Sequence, residues 1–127
     1  AYAAAGITAP KQYIQEGDYS YESGVIAMDK LLNLKNPPDG VFCANDLMAA
    51  GALTVLHNNG LECPDDVKIV GFDDSLIAQT SRPPLTSVRQ DIARLGETAA
   101  TLMINILNGE EVSPVVFPTE LINRASC

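Results

Sequence analysis

The sequence predicts an α/β fold, a three-layer lobe built on a mostly parallel sheet, and three observations carry that prediction. Strand-length apolar runs alternate with segments of helical period along the chain, the order that βαβ units require. Two of those runs, Gly40-Val41-Phe42-Cys43-Ala44 and Val67-Lys68-Ile69-Val70-Gly71, are almost continuously apolar, as parallel strands covered on both faces are. The composition, 46% hydrophobic over 127 residues, suits one packed domain in a chain too short for two.

Each element follows from local signals. Ala1-Tyr2-Ala3-Ala4-Ala5-Gly6 has neither an initiator Met nor a cap and reads as the tail of a helix already under way, so the chain is expected to be part of something longer. Gln12 to Glu16 is a short strand candidate closed by Gly17-Asp18. A helix starts at Ser20 or Tyr21, places Val25, Met28, Leu31 and Leu32 at helical spacing, and ends before Pro37-Pro38. After the strand Gly40–Ala44, Asn45 caps a helix that runs to about Asn58 and stops at Asn59-Gly60. The turn Cys63-Pro64-Asp65-Asp66 leads into the strand Val67–Gly71. A helical turn is expected over Ser75 to Thr80 and an extended segment over Leu85 to Arg89. A helix then runs from about Asp91 to Leu107, ended by Asn108-Gly109, and Val112 to Phe117 and Leu121 to Arg124 are two last short strands.

Two helices say more than their position. From Asp46 to Asn58, Leu47, Met48, Ala49, Ala50, Ala52, Leu53, Val55 and Leu56 leave almost no polar face. A helix apolar all round needs cover on both sides. A central place in a larger domain would supply it; in a doubly wound layer, where helices are outermost, a partner subunit is the expected cover. The helix from Asp91 carries one stripe, Ile92, Leu95, Gly96, Ala99, Leu102, Met103 and Ile106, which needs a sheet to lie on.

Charge and cysteines exclude several function classes. The net charge is −8, and no basic run is present to neutralise phosphates, so this segment is not expected to bind nucleic acid or an anionic membrane by itself. No apolar run approaches the ~18 residues of a membrane span, and no secretory signal opens the chain. Cys43, Cys63 and Cys127 are widely spaced, with no CxxC pair and one His, which suggests no disulfide framework, no zinc site and no other metal or cofactor. Free thiols point to the reducing cytoplasm.

Ligands of open α/β sheets sit at the carboxyl ends of the strands. Asn45 follows the strand Val41–Ala44, Asp73 and Asp74 follow Val67–Gly71, and Tyr19 with Asp18 follows the first strand candidate. A carboxylate accepts two hydroxyl bonds, an amide donates and accepts, and an aromatic face packs on a sugar or base, so together they suit a neutral polyol or heterocycle. Plainer roles stay open: Asn45 as a cap, Asp73 and Asp74 as turn formers, Tyr19 as core. Catalysis has no constellation here. Neighbouring carboxylates on an extended segment point apart, so Asp73 and Asp74 do not face each other as an acid/base pair, and there is no nucleophile elbow or phosphate loop.

The run Val70-Gly71-Phe72-Asp73-Asp74, followed by Pro83-Pro84-Leu85-Thr86-Ser87-Val88-Arg89-Gln90, resembles the LacI/GalR family of bacterial transcription regulators. The resemblance continues through Leu95-Gly96-Glu97-Thr98-Ala99 to Glu120-Leu121-Ile122-Asn123-Arg124-Ala125-Ser126. Upstream, Gly17-Asp18-Tyr19-Ser20, Glu22-Ser23-Gly24 and Pro38-Asp39-Gly40-Val41-Phe42-Cys43-Ala44-Asn45-Asp46 with Met48-Ala49 are similar too. It covers essentially the whole chain, and several ordered motifs in one register make it specific.

The resemblance implies a two-lobed, periplasmic-binding-protein-like domain of type I with its effector between the lobes. This chain would be the C-terminal part, with the N-terminal lobe and helix-turn-helix headpiece largely missing. Residues 1–87 and 118–127 would form the C-lobe, 91–109 a helix of the N-lobe, and 88–90 and 110–117 the crossings. The family's ligand positions match Tyr19, Asn45, Asp73 and Gln90, while an arginine often used for the ligand would fall just before Ala1. A homodimer contact is expected at the helix Asp46–Asn58 and the segment Leu76–Ser81, through Met48, Ala52, Leu76 and Ser81. Implied partners are a small-molecule effector, a sugar first and a purine or nucleoside second, and operator DNA through the missing headpiece. The alternative is a periplasmic sugar-binding receptor of a transporter, against which stand the unpaired cysteines and the Leu85–Gln90 pattern.

Overall fold

A computed structural model describes residues 3–127. Ala3–Ala5 and Lys11–Tyr13 form two 3-10 turns; of the helix tail expected over Ala1–Gly6, Ala3–Ala5 is such a turn, and Ala1 and Tyr2 lie outside the described residues. The remaining elements are α1 (Tyr21–Leu32), β1 (Gly40–Phe42), α2 (Asp46–Asn58), β2 (Lys68–Asp73), α3 (Leu76–Thr80), β3 (Thr86–Arg89), α4 (Ile92–Leu107) and β4 (Glu120–Ile122). The sheet order is β1-β2-β3-β4, with β1, β2 and β3 parallel and β4 antiparallel to β3.

Parallel register brings Val41 opposite Ile69 and Gly71 opposite Ser87, so the carboxyl ends of all three parallel strands lie along one edge. Cys43, Ile69 and Leu85 point from this sheet into a core shared with Met28, Ala52 and Leu56. At the opposite end the chain's last residues clamp β2 to β3: Ser126 Oγ donates to the Ile69 carbonyl at 2.6 Å and accepts from the Thr86 N–H at 2.8 Å.

The apolar helix α2 is covered twice within this chain, by the sheet and by α1. Glycines permit the close approach: a Cβ on Gly24 would strike the Met48 backbone, and one on Gly51 the Tyr21 carbonyl. Tyr21 Oη donates to Thr54 Oγ1 at 2.7 Å across the same contact. This corrects the expected dimer contact. Met48 is 8% and Ala52 1% exposed, because α1 lies over them, so neither can face a partner.

Two expected strands do not form. Gln12–Glu16 begins in the 3-10 turn and continues without pairing, held instead by Tyr13 Oη donating to the Asn36 carbonyl at 2.8 Å. Val112–Phe117 is irregular and contains Pro114, and Val116 is 89% exposed. A lone strand is not stable without a neighbour to satisfy its backbone, and the described residues offer neither segment one.

Helices α1 to α3 gather on one face of the sheet, and among the described residues no helix packs on the other. Strand alternation puts Phe42 and Phe72 on that open face, their rings 6.4 Å apart and edge to face, with Phe42 largely exposed. Helix α4 stands apart as well: it has no buried residue, and Ile92, Met103, Ile106 and Leu107 are all more than half exposed.

Candidate functional site

The site is assembled at the strand ends from two hydrogen-bonded pairs. Beyond β1, the Asn45 side chain does two jobs. Its Oδ1 accepts from the Met48 N–H at 2.8 Å and caps α2, while its Nδ2 donates to the Tyr19 carbonyl at 2.9 Å. One amide hydrogen is left for another acceptor. Tyr19 is not core: it sits in a turn at φ 67 with a side chain 65% exposed. Asp18 organises that turn, its Oδ1 accepting from the Ser20 N–H at 3.1 Å and from the Ser20 hydroxyl. Those bonds, led by the Ser20 hydroxyl, hold the Asp18 carboxyl below the usual carboxylate range.

Beyond β2 and β3 lies the second pair. Gln90 Nε2 donates to Asp73 Oδ1 at 2.9 Å, which leaves Asp73 Oδ2 free to accept from a ligand hydroxyl. Asp73 and Asp74 both have positive φ, 98 and 52. Backbone of this kind costs about 1–3 kcal/mol per residue and persists only where its surroundings over-determine it. The two carboxylates diverge, as expected of neighbours. Asp74 turns inward, where Arg124 Nη2 reaches Oδ1 at 2.6 Å and Arg89 reaches Oδ2 at 2.7 Å. Burial pushes the Asp74 carboxyl up, but its bonds to Arg124 and Arg89 and their charges outweigh that and hold it below the usual range.

Four residues matter that the sequence did not single out: Asp46, Ser87, Arg89 and Arg124. Asp46 is 1% exposed and accepts from Ser87 Oγ at 2.6 Å and from the Ser75 N–H at 2.7 Å. Its sequence signals were its place in the run Pro38–Asp46 that resembles the family and an acidic residue in the first turn of a helix, which the helix dipole explains without any tertiary partner.

All four expected ligand residues therefore reach the same edge, as Tyr19 with Asn45 and Asp73 with Gln90. No described cavity encloses all four. A hollow of about 230 Å³ lies under Tyr19, lined by Gly17, Met28, Ala44 and Met48, and another of about 570 Å³ lies beside Gln90, lined by Arg89, Arg94 and Phe117. The arrangement is an open ledge of hydrogen-bonding side chains, with an aromatic at one end. Among the described residues no group of His, Cys, Asp and Glu is arranged for a metal ion.

Known proteins are similar to this chain over most of its length. The family described as a periplasmic binding protein-like domain matches residues 1–127. The HTH-type transcriptional regulator CelR of Thermobifida fusca is 42% identical over 125 residues, 97% of this chain and 37% of that protein. A solved CelR–cellobiose complex superposes with a TM-score of 0.91 at 41% identity, covering 98% of this chain and 39% of that one. A lac repressor dimer bound to operator and the anti-inducer ONPF gives a TM-score of 0.81 at 33% identity, covering 87% of this chain and 34% of that one. The chain thus spans little more than a third of the relatives it matches. It belongs to the periplasmic binding protein-like domains, and among them to the effector-binding domains of the LacI/GalR family of transcriptional regulators.

Proposed function

We propose that this chain is the C-terminal lobe, with one helix of the N-terminal lobe, of an effector-binding domain that controls DNA binding by a headpiece elsewhere in a longer regulator. The observation that carries the reading is the hydrogen-bonded pair Asp73–Gln90, set beside Asn45 and Tyr19 at the carboxyl ends of parallel strands. The ledge is open because it is half of a site. A second lobe would close over it, and an effector gripped by both lobes favours the closed arrangement by its differential affinity for that state. The site has the chemistry of a neutral polyol, and the similarity to a cellobiose complex makes a sugar the first choice over a purine or nucleoside. Residues 88–90 and 110–117 cross between the lobes, and 91–109 lies in the second.

Dimerisation through α2 and α3 is part of the same proposal. Met48 and Ala52 being buried, the outward residues are Leu47 and Leu76, 38% and 72% exposed on two helices that pack together, with Ser81 at the end of α3. Catalysis is not part of it, since Asp73 and Asp74 point apart and Asp74 is consumed by two arginines.

Calorimetry on the full-length protein with cellobiose, other disaccharides and nucleosides tests the reading. Asp73→Asn should weaken the tightest of them by about 1–3 kcal/mol, the cost of leaving buried polar partners unpaired, with folding unchanged. Unchanged affinity would remove Asp73 from the site.

A further inference from the structure

The Asp73–Asp74 turn is held in a strained backbone by something, and the two ion pairs of Asp74 do not explain how Asp73 is aimed. Two consecutive amides of the turn lead to one buried carboxylate. The Ser75 N–H donates to Asp46 Oδ2 at 2.7 Å. The Asp74 N–H donates to Ser87 Oγ at 3.1 Å, and Ser87 Oγ donates in turn to Asp46 Oδ1 at 2.6 Å. A hydroxyl has one proton to give and lone pairs to receive, so this relay uses Ser87 in the only direction that satisfies both partners. Ser87 is fully buried and Asp46 is 1% exposed, so water does not compete for these bonds. The carboxylate reaches its place because residue 71 is glycine: a Cβ there would collide with Asp46 Oδ1. Strands β2 and β3, the start of α2 and the turn therefore meet on one side chain.

We infer that Asp46 is a positioning residue of the effector site, whose carboxylate, through Ser75 and Ser87, holds the Asp73–Asp74 turn in the conformation that presents Asp73 at the strand ends. This rests on the reading of Asp73 as an effector contact. Because Asp46 directly follows Asn45, the same point also fixes the turn relative to the Tyr19–Asn45 pair.

Amide hydrogen exchange in the full-length protein tests it without a ligand. Ser87→Ala removes the relay, and amides in peptides spanning Phe72–Leu76 should exchange about fivefold faster, the loss of one ordinary hydrogen bond. Those of Ile69 and Gly71 in the strand should keep their protection, which a general loss of stability would not allow. Asp46→Asn should give the same pattern through a different substitution. Ser87→Thr retains the hydroxyl and should restore slow exchange. Unchanged exchange at the turn in both Ser87→Ala and Asp46→Asn, or a uniform rise along the whole chain, would overturn the inference. So would a Ser87→Thr variant that opens the turn as far as Ser87→Ala, because the effect would then be packing. Cellobiose affinity, measured alongside, separates the two readings. If Asp73→Asn leaves it unchanged, the assignment of Asp73 to the effector fails, and the exchange data still decide what Asp46 holds.

Discussion

At the scale of single residues, charge matching at Asp74 is the most exacting feature. Its side chain is 2% exposed, and its two arginines are not equivalent: Arg124 is 16% exposed and Arg89 49%. Removing one partner of a buried pair costs about 3–5 kcal/mol, whereas an exposed pair is worth about 0.2–1 kcal/mol after solvent screening. Arg124→Ala should therefore lower stability in urea much more than Arg89→Ala. Because the folded carboxyl lies below its unfolded value, its contribution is complete above about pH 4 and is lost as the pH falls through the lower folded value. Acid titration of wild type against Asp74→Asn should show their stabilities converging only below that point. The thiols should differ as sharply. Burial, with Asp46 nearby, pushes Cys43 up to about 12, so a thiol reagent at neutral pH should modify exposed Cys127 first and Cys43 only on unfolding. The positions of Asn45 and Asp73 beyond β1 and β2 could be read from the sequence because the strands before them are almost continuous apolar runs, whereas Tyr19 was placed after an expected strand, 12–16, that does not form. The turn at Asp73 could not be read, since its positive φ is imposed by Asp46 and Ser87, far away in sequence.

Among the elements, α2 shows how far periodicity carries and where it stops. Its cap at Asn45 and its stop at Asn59 could be read directly, because caps are local chemistry. Its missing polar face could be read too, but the identity of the cover could not: α1 supplies it through Gly24 and Gly51, a close approach that no spacing announces. The consequence is a pair of contrasting variants. Leu76→Glu, at an exposed position, should change stability by no more than about 0.5 kcal/mol and shift the full-length protein toward monomer in sedimentation. Ala52→Glu buries an unpaired charge under α1 and should unfold the lobe at lower temperature whatever the oligomeric state. The expected strands over 12–16 and 112–117 failed for a related reason. A strand exists only with a partner, and pairing is decided elsewhere in the chain.

For the whole molecule, the decisive facts are what the chain leaves uncovered. Helix α4 exposes Ile92, Leu95, Met103, Ile104, Ile106 and Leu107, and the open sheet face exposes Phe42 and Leu121. Each large apolar side chain gains about 1.5–3 kcal/mol on burial, so several together rival the ~5–15 kcal/mol that stabilises an ordinary domain. Surfaces of that size find cover. Light scattering on the isolated 127-residue chain should accordingly show self-association, and a well-behaved monomer with α4 ordered would argue against assigning that helix to a second lobe. A second lobe closing on the strand ends is the central claim, and a crystal structure of the full-length protein with its tightest-binding sugar or nucleoside tests it most directly. A ligand hydroxyl should lie on the Asp73 carboxylate, within reach of Asn45, Tyr19 and Gln90, with the α4 stripe buried in the opposing lobe. A ligand bound away from the strand ends of β1 and β2, or an α4 stripe still facing solvent, would contradict it.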